Sequence, residues 1–260
     1  MDKLIAIKIG SNVLTKEDGR LDITRLSALV DQISDLRREG YQVIVISSGA
    51  VASGRSEVPQ KFDLDEVSQR QLYSSVGQAR LMHNYYQFFK EQGFACGQVL
   101  TTKDHFCDSV HCSNQKNCIS VMLKCGVIPI VNENDTVSIT ELMFTDNDEL
   151  AGLISTMMGV SGLIILSNVD GIFTGDPASS SSQLLNEIDP DDPSVAGYIS
   201  EKKSSNGRGG MKSKYAMACK IASQGIDVII ANGKRENILK AIMHNCVNTP
   251  YSKITAKREL

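Results

Sequence analysis

Short, almost wholly apolar runs recur along this chain with helix-length stretches between them, and that alternation limits its fold more than any other feature. Leu4–Ile9 (apart from Lys8), Val43–Ile46, Val127–Val131, Gly162–Leu166 and Ile226–Ile230 are rich in branched residues and lack the polar alternation of a sheet with one wet face. Such runs are strands buried on both faces, as in parallel sheets covered by helices. Between them, apolar residues fall at helical spacing: Ile23, Leu26, Val30 and Ile33 before Gly40; Leu72, Val76, Ala79, Met82, Tyr86 and Phe89 before Gly93; Leu150, Leu153, Ile154 and Met157 before Gly159; Met211, Tyr215, Ala218, Cys219 and Ala222 before Gly225. Gly97–Thr101 adds a short strand, Ile172–Thr174 a hairpin or edge excursion, Ala178–Pro193 a surface loop, and the tail a helix near Ile238–Ile242 with an edge strand. Successive strand, helix and strand make βαβ units. The expectation is an α/β fold, a three-layer αβα sandwich with a predominantly parallel central sheet, in a single domain over residues 1–260.

The chain has 260 residues and a formal charge of −3, so no overall basic field points to nucleic acid or an anionic membrane. Its first apolar run is too short for the core of a signal peptide, and no run approaches a membrane span, which predicts a cytoplasmic protein. Seven cysteines form no framework spacing. His105, Cys107, His111, Cys112 and Cys118 contain no CxxC pair, and the cysteines read as buried or half-exposed free thiols rather than as zinc ligands.

Chemistry gathers at two acidic, amide-rich loops. Val131-Asn132-Glu133-Asn134-Asp135 follows a buried strand, and Thr145-Asp146-Asn147-Asp148-Glu149 leads into a helix, which is where open α/β sheets bind ligands. Gly207-Arg208-Gly209-Gly210-Met211-Lys212-Ser213-Lys214 has the parts of an anion site: glycines, a helix N-terminus and several cations. It is neither a P-loop nor a dinucleotide fingerprint. Lys8 at a strand end, Lys214 in a helix's first turn and Asp148 at another helix start could converge, two ammonium groups neutralising a transferring phosphoryl group with a carboxylate holding both. Taken singly, Lys8 reads as a snorkelling strand residue and Asp148 as a helix cap. Ser48 with the Gly49 N–H can hold a carboxylate, and Asp135, Asn132 and Asn147 can accept from an ammonium. That pattern complements an α-amino acid. A Ser-His-Asp hydrolase is disfavoured, because the serine turn lacks the G-x-S-x-G elbow.

In order along the chain, Ile7-Lys8-Ile9-Gly10-Ser11, Ile46-Ser47-Ser48-Gly49-Ala50-Val51, Ser75-Val76-Gly77-Gln78, Val131-Asn132-Glu133-Asn134-Asp135 and Gly207 to Lys214 resemble the amino-acid kinase family. The likeness covers nearly the whole chain. The Val-Gly-Gln and Asn-Glu-Asn-Asp segments resemble the branch that phosphorylates the γ-carboxylate of L-glutamate with ATP, the entry to proline biosynthesis. Relatives acting on aspartate, acetylglutamate or nucleoside monophosphates, and a non-catalytic nucleotide or oxyanion binder of the same fold, are the alternatives. The resemblance implies Ser48, Gly49, Asn132, Asp135 and Asn147 as glutamate binders and Lys8, Asp148 and Lys214 as the catalytic set. It implies Lys8, Ser167, Asn168 and residues Arg208, Gly209, Gly210, Met211, Lys212, Ser213 and Lys214 as facing ATP. Mg²⁺ would arrive with the nucleotide, with no metal site of the protein's own, and the chain would form a homo-oligomer built on dimers. Many relatives have Thr-Asp where this chain has Ser167-Asn168. Many in the glutamate branch also carry a C-terminal RNA-binding module of the PUA type; this chain ends at Leu260 without one, so no nucleic-acid partner is expected.

Overall fold

The structure is a computed structural model that describes residues 3–59, 63–138, 144, 146–199 and 210–257. The first half runs β1 (Leu4–Ile9), α1 (Ser11–Leu14), α2 (Ile23–Arg38), β2 (Gln42–Ser47), α3 (Ala50–Glu57), α4 (Glu66–Glu91), β3 (Cys96–Thr101), a 3₁₀ turn (Lys103–Phe106), α5 (Ser109–Lys124) and β4 (Ile128–Glu133). The second half runs α6 (Asn147–Met158), β5 (Gly162–Ser167), β6 (Glu187–Ile188), α7 (Pro193–Tyr198), α8 (Met211–Ala222), β7 (Asp227–Asn232), α9 (Ile238–Met243) and β8 (Tyr251–Ile254). One eight-stranded sheet has the order β3-β4-β2-β1-β5-β7-β8-β6. Its pairs are parallel except β7 with β8.

Alternate residues of each strand enter opposite cores. Ile5, Ile7 and Ile9 of β1 join Val43, Val45, Ile130 and Ile164 under α2, α4 and α9. Ala6 faces the other way, with Ile44, Ile46, Val131, Leu163 and Ile165, under α5, α6 and α8. The expected sandwich is therefore present. By parity Lys8 belongs to the second face, and its register partners are Ile46 and Ile165. Because β1, β2, β4 and β5 are parallel neighbours, their C-terminal ends deliver Gly10, Ser48, Glu133 and Ser167 to a single edge of the sheet.

Three local expectations need correction. The stripe expected to face inward on α4 is largely the wrong face: Val76 and Tyr86 are exposed, and Tyr73, Ser74, Gly77, Gln78, Leu81, Asn84, Tyr85 and Phe89 are buried. A search for apolar residues passes over that face because half of it is glycine or polar. Its glycine has a packing reason. A Cβ on Gly77 would lie 1.8 Å from the Ala50 carbonyl oxygen, and one on Gly54 would lie 1.9 Å from that of Tyr73, so α3 and α4 touch backbone to backbone. Second, β4 runs two residues beyond the expected end at Val131, placing Asn132 and Glu133 in the strand rather than in a loop. Third, the loop expected over Ala178–Pro193 contains β6, which pairs with β8 and buries Ile188. The excursion at Ile172–Thr174 does form an antiparallel bridge, Phe173 with Leu184.

Candidate active site

At the edge where β1 ends, the carboxylate of Asp148 lies between two ammonium groups. Lys8 Nζ is 2.6 Å from Oδ1 and Lys214 Nζ donates to Oδ2 at 2.5 Å. These side chains come from three elements: β1, the first turn of α6 and the first turn of α8. Asp148 is wholly buried, Lys8 nearly so, and Lys214 is 15% exposed on its side chain. Burial alone would raise the Asp148 carboxyl, but Lys8 and Lys214 outweigh it and bring its pKa down to about 2. Burial pushes Lys8 below its ordinary value, with Asp148 opposing and Lys214 adding to the shift.

Asp146, for which no role is expected above, aligns the two helices. Its Oδ1 caps α6 by accepting from the N–H groups of Asp148 at 2.9 Å and Glu149 at 3.1 Å, and its Oδ2 accepts from Ser213 Oγ at 3.0 Å in the first turn of α8. The Asp-x-x-Glu spacing of Asp146 and Glu149 resembles the start of a capping box and could have marked it. Ser213, expected to face ATP, uses its hydroxyl here and also accepts from the Gly210 N–H at 3.0 Å.

Next to this charged set lies a neutral network. Asn147 Nδ2 donates to Ser48 Oγ at 2.8 Å and to Asn132 Oδ1 at 3.2 Å, while Asn132 Nδ2 donates to Gln78 Oε1 at 2.9 Å. Gly49 has φ +109, a conformation that favours glycine, and its carbonyl accepts from Ser53 N–H in α3 at 2.9 Å. Behind Ser48, the Ser47 hydroxyl and the buried Tyr85 hydroxyl share a 2.8 Å hydrogen bond. Asp135 is held by Arg70 of α4, whose Nε donates to Oδ1 at 2.9 Å and whose Nη2 also reaches that oxygen; Nη2 lies 3.1 Å from Glu133 as well. Arg70 and Tyr85 were missed with the face of α4 that carries them, and Gln78 was marked only as part of the Val-Gly-Gln segment, without a role.

A cleft of about 790 Å³ joins the two groups. Lys8, Asp148, Lys214, Ser48, Gly49, Asn132, Asp135, Asn147, Ser167, Asn168, Gly210 and Met211 all line it, whereas Lys212 and Ser213 do not. The readings on Arg208 and Gly209 lie outside the described residues. At the cleft's far end, where Ser167 and Asn168 leave β5, Arg235 grips Asp170 through Nε at 2.5 Å and Nη2 at 2.7 Å, with Asn232 Nδ2 at 3.1 Å. Among the described residues no group of three or more His, Cys, Asp or Glu side chains could hold a metal ion. His105 instead lies 3.2 Å from Thr101 Oγ1, and all seven cysteines are free.

The model of the amino acid kinase family matches residues 3–232. A glutamate 5-kinase of Bacteroides thetaiotaomicron is 56% identical over 255 residues, covering 98% of this chain and 71% of that protein. One of Chlorobaculum tepidum is 45% identical, covering 92% of this chain and 66% of that protein, so the chain spans about two thirds of such relatives' length. Among solved structures, carbamate kinase from Giardia lamblia bound to AMP-PNP superposes with a TM-score of 0.69 at 13% identity, over 98% of each chain, a likeness of fold.

Proposed function

The chain belongs to the amino acid kinase family and, within it, to the glutamate 5-kinases, and on that premise we propose that its edge cleft phosphorylates the γ-carboxylate of L-glutamate from ATP. The observation that carries the reading is the buried Lys8–Asp148–Lys214 set beside the Ser48–Asn147–Asn132 network. In this reaction a γ-carboxylate oxygen of glutamate bonds to the γ-phosphorus of ATP while the bond from that phosphorus to the β,γ-bridging oxygen breaks. ADP leaves with that electron pair. The nucleophile is already an anion, so no general base is needed. The residues have only to bring two negatively charged groups together and stabilise charge on the equatorial oxygens in flight.

Lys8 and Lys214 are the groups suited to that task, since each approaches from a separate element and Asp148 keeps both ammonium heads at the edge. Asp148 takes no proton at neutral pH; it is a positioning residue. Ser48 and the Gly49 N–H would receive the substrate's α-carboxylate, and Asp135, Asn132 and Asn147 its ammonium. Gly210, Met211, Ser167 and Asn168 would face the nucleotide. Mg²⁺, when bound, neutralises phosphate charge. Asp148 and Asp146 are engaged by lysines, backbone N–H groups and Ser213, a donor set that suits an ion held mainly by phosphates and water. Among the described residues no helix is long and apolar enough to cross a membrane. A homo-oligomer is part of the same reading, and light scattering would measure it.

The test is direct. Incubation with ATP, Mg²⁺, glutamate and hydroxylamine should yield the γ-hydroxamate. Product no greater than in the enzyme-free control would remove the proposal. N-acetylglutamate should not substitute, because acylation removes the ammonium that the Asp135 side of the cleft would hold.

A further inference from the structure

The substrate end of the cleft is held from behind by one helix. On α4, Arg70 contacts Asp135 and Glu133, Gln71 Nε2 donates to the Thr136 carbonyl at 2.8 Å, Gln78 accepts from Asn132, and Tyr85 meets Ser47. Arg70 differs from the others in carrying charge. It is 20% exposed on its side chain and lines the cleft, while Glu133 is 1% and Asp135 12% exposed. We propose that Arg70 is the positioning residue that sets the place of the amino-acid clamp, a role that rests on the reading of the cleft given above.

Glu133 and Asp135 sit two residues apart at the end of β4, and side by side without a cation between them their carboxylates would repel. Glu133 is anchored on its other oxygen, where Oε1 accepts from Ser138 Oγ at 2.7 Å and from the Phe144 N–H at 3.1 Å. Arg70 spans from this fixed carboxylate to Asp135, so the Asp135 oxygens are referenced to a strand and a helix rather than to a loop. The planar guanidinium serves this bridging in a way that an ammonium does not. Without Arg70 the bridge from Glu133 to Asp135 is lost and the segment carrying Asp135 can shift.

Steady-state kinetics on the full chain test this with Arg70→Met and Arg70→Lys, using glutamate as substrate and glutarate, the same diacid without its ammonium, as competitive inhibitor. Arg70→Met should raise the glutamate KM about 10²-fold, the size expected when one partner of a buried charged pair is removed, with kcat and the ATP KM within about threefold. The glutarate Ki should move far less, because glutarate does not use the clamp. Arg70→Lys should recover part of the loss, and it decides the matter if the Met variant does not fold. Combined with Asp135→Asn, Arg70→Met should add little to either change alone. Wild-type KM in both Arg70 variants, or glutamate KM and glutarate Ki rising together, would overturn the proposal and leave Arg70 as a packing contact only. ADP release that does not depend on glutamate in the wild-type chain would instead remove the reading of the cleft itself, and this inference with it.

Discussion

The two ends of the cleft are built on opposite plans. At the phosphoryl end two lysines and a carboxylate pair at a largely buried edge, each from a different element, with Asp146 fixing the starts of α6 and α8 beside them. At the amino-acid end the groups facing the cleft are amides, a hydroxyl and one carboxylate; Asn132 and Asp135 lean directly on α4, and Asn147 and Ser48 join them through Asn132. The first end works by charge and the second by placement. Damage to the first should therefore appear in kcat, and damage to the second in the KM for the amino acid.

The largest effect should come from the charged end. Lys214→Ala is expected to lower kcat by about 10²–10³ while leaving the glutamate KM nearly unchanged, as stopped-time ADP release would measure. A rise in KM with kcat intact would invert the comparison. Asp135→Ala is the matching change at the other end and should raise the glutamate KM by about 10² with a smaller change in kcat, given a cost of ~2–5 kcal/mol for breaking a buried charged pair. Gly77→Ala tests whether placement depends on helix contact: with a Cβ only 1.8 Å from the Ala50 carbonyl oxygen, α3 has to move. Overpacking of this kind costs about 1–3 kcal/mol, so thermal unfolding should shift downward and the glutamate KM upward, with the ATP KM steady. Smaller still is Tyr85→Phe, which removes the hydrogen bond behind Ser48; a net value of about 1 kcal/mol corresponds to roughly a fivefold rise in glutamate KM.

A pH series sharpens the charged end. Asp148 has its pKa depressed from 3.8 to about 2 in the folded chain. Its stabilisation is therefore complete above the unfolded value and is lost as pH falls through the folded one. The Tm difference between wild type and Asp148→Asn should stay level from pH 8 to about pH 5 and shrink toward pH 2. A difference that declined between pH 7 and pH 5 would mean that the lysines do not hold the carboxylate as described.

The same contrast explains what could be read from the chain alone. Lys8 stood out because a cation inside an apolar strand is costly, and Asp148 and Lys214 stood out at helix starts, so the charged end was legible once the three were taken together. The parallel sheet followed from runs such as Val43–Ile46 and Gly162–Leu166, since a strand buried on both faces has no other use for so many branched residues. The frame of the amino-acid end was not legible. Its helix buries Ser74, Gly77, Gln78 and Asn84 and exposes Val76 and Tyr86, which reverses the hydrophobic rule by which a helix face is normally found. Asn132 and Glu133 looked like loop residues because polar side chains end an apolar run, yet the ladder to β3 continues through both. Asp146 was hidden among neighbours of its own kind.

Asp146 has one more consequence. By capping α6 and accepting from Ser213, it sets the N-termini of α6 and α8 against the same edge of the sheet. Each helix directs the positive end of its dipole there. The attraction for a polyanion is thus supplied by the main chain as well as by side chains, and no substitution of a lysine can delete the main chain's share. A chain lacking Lys214 should still bind nucleotide and retain a measurable remnant of turnover, so complete silence in that variant would point to a collapsed edge rather than to a missing charge.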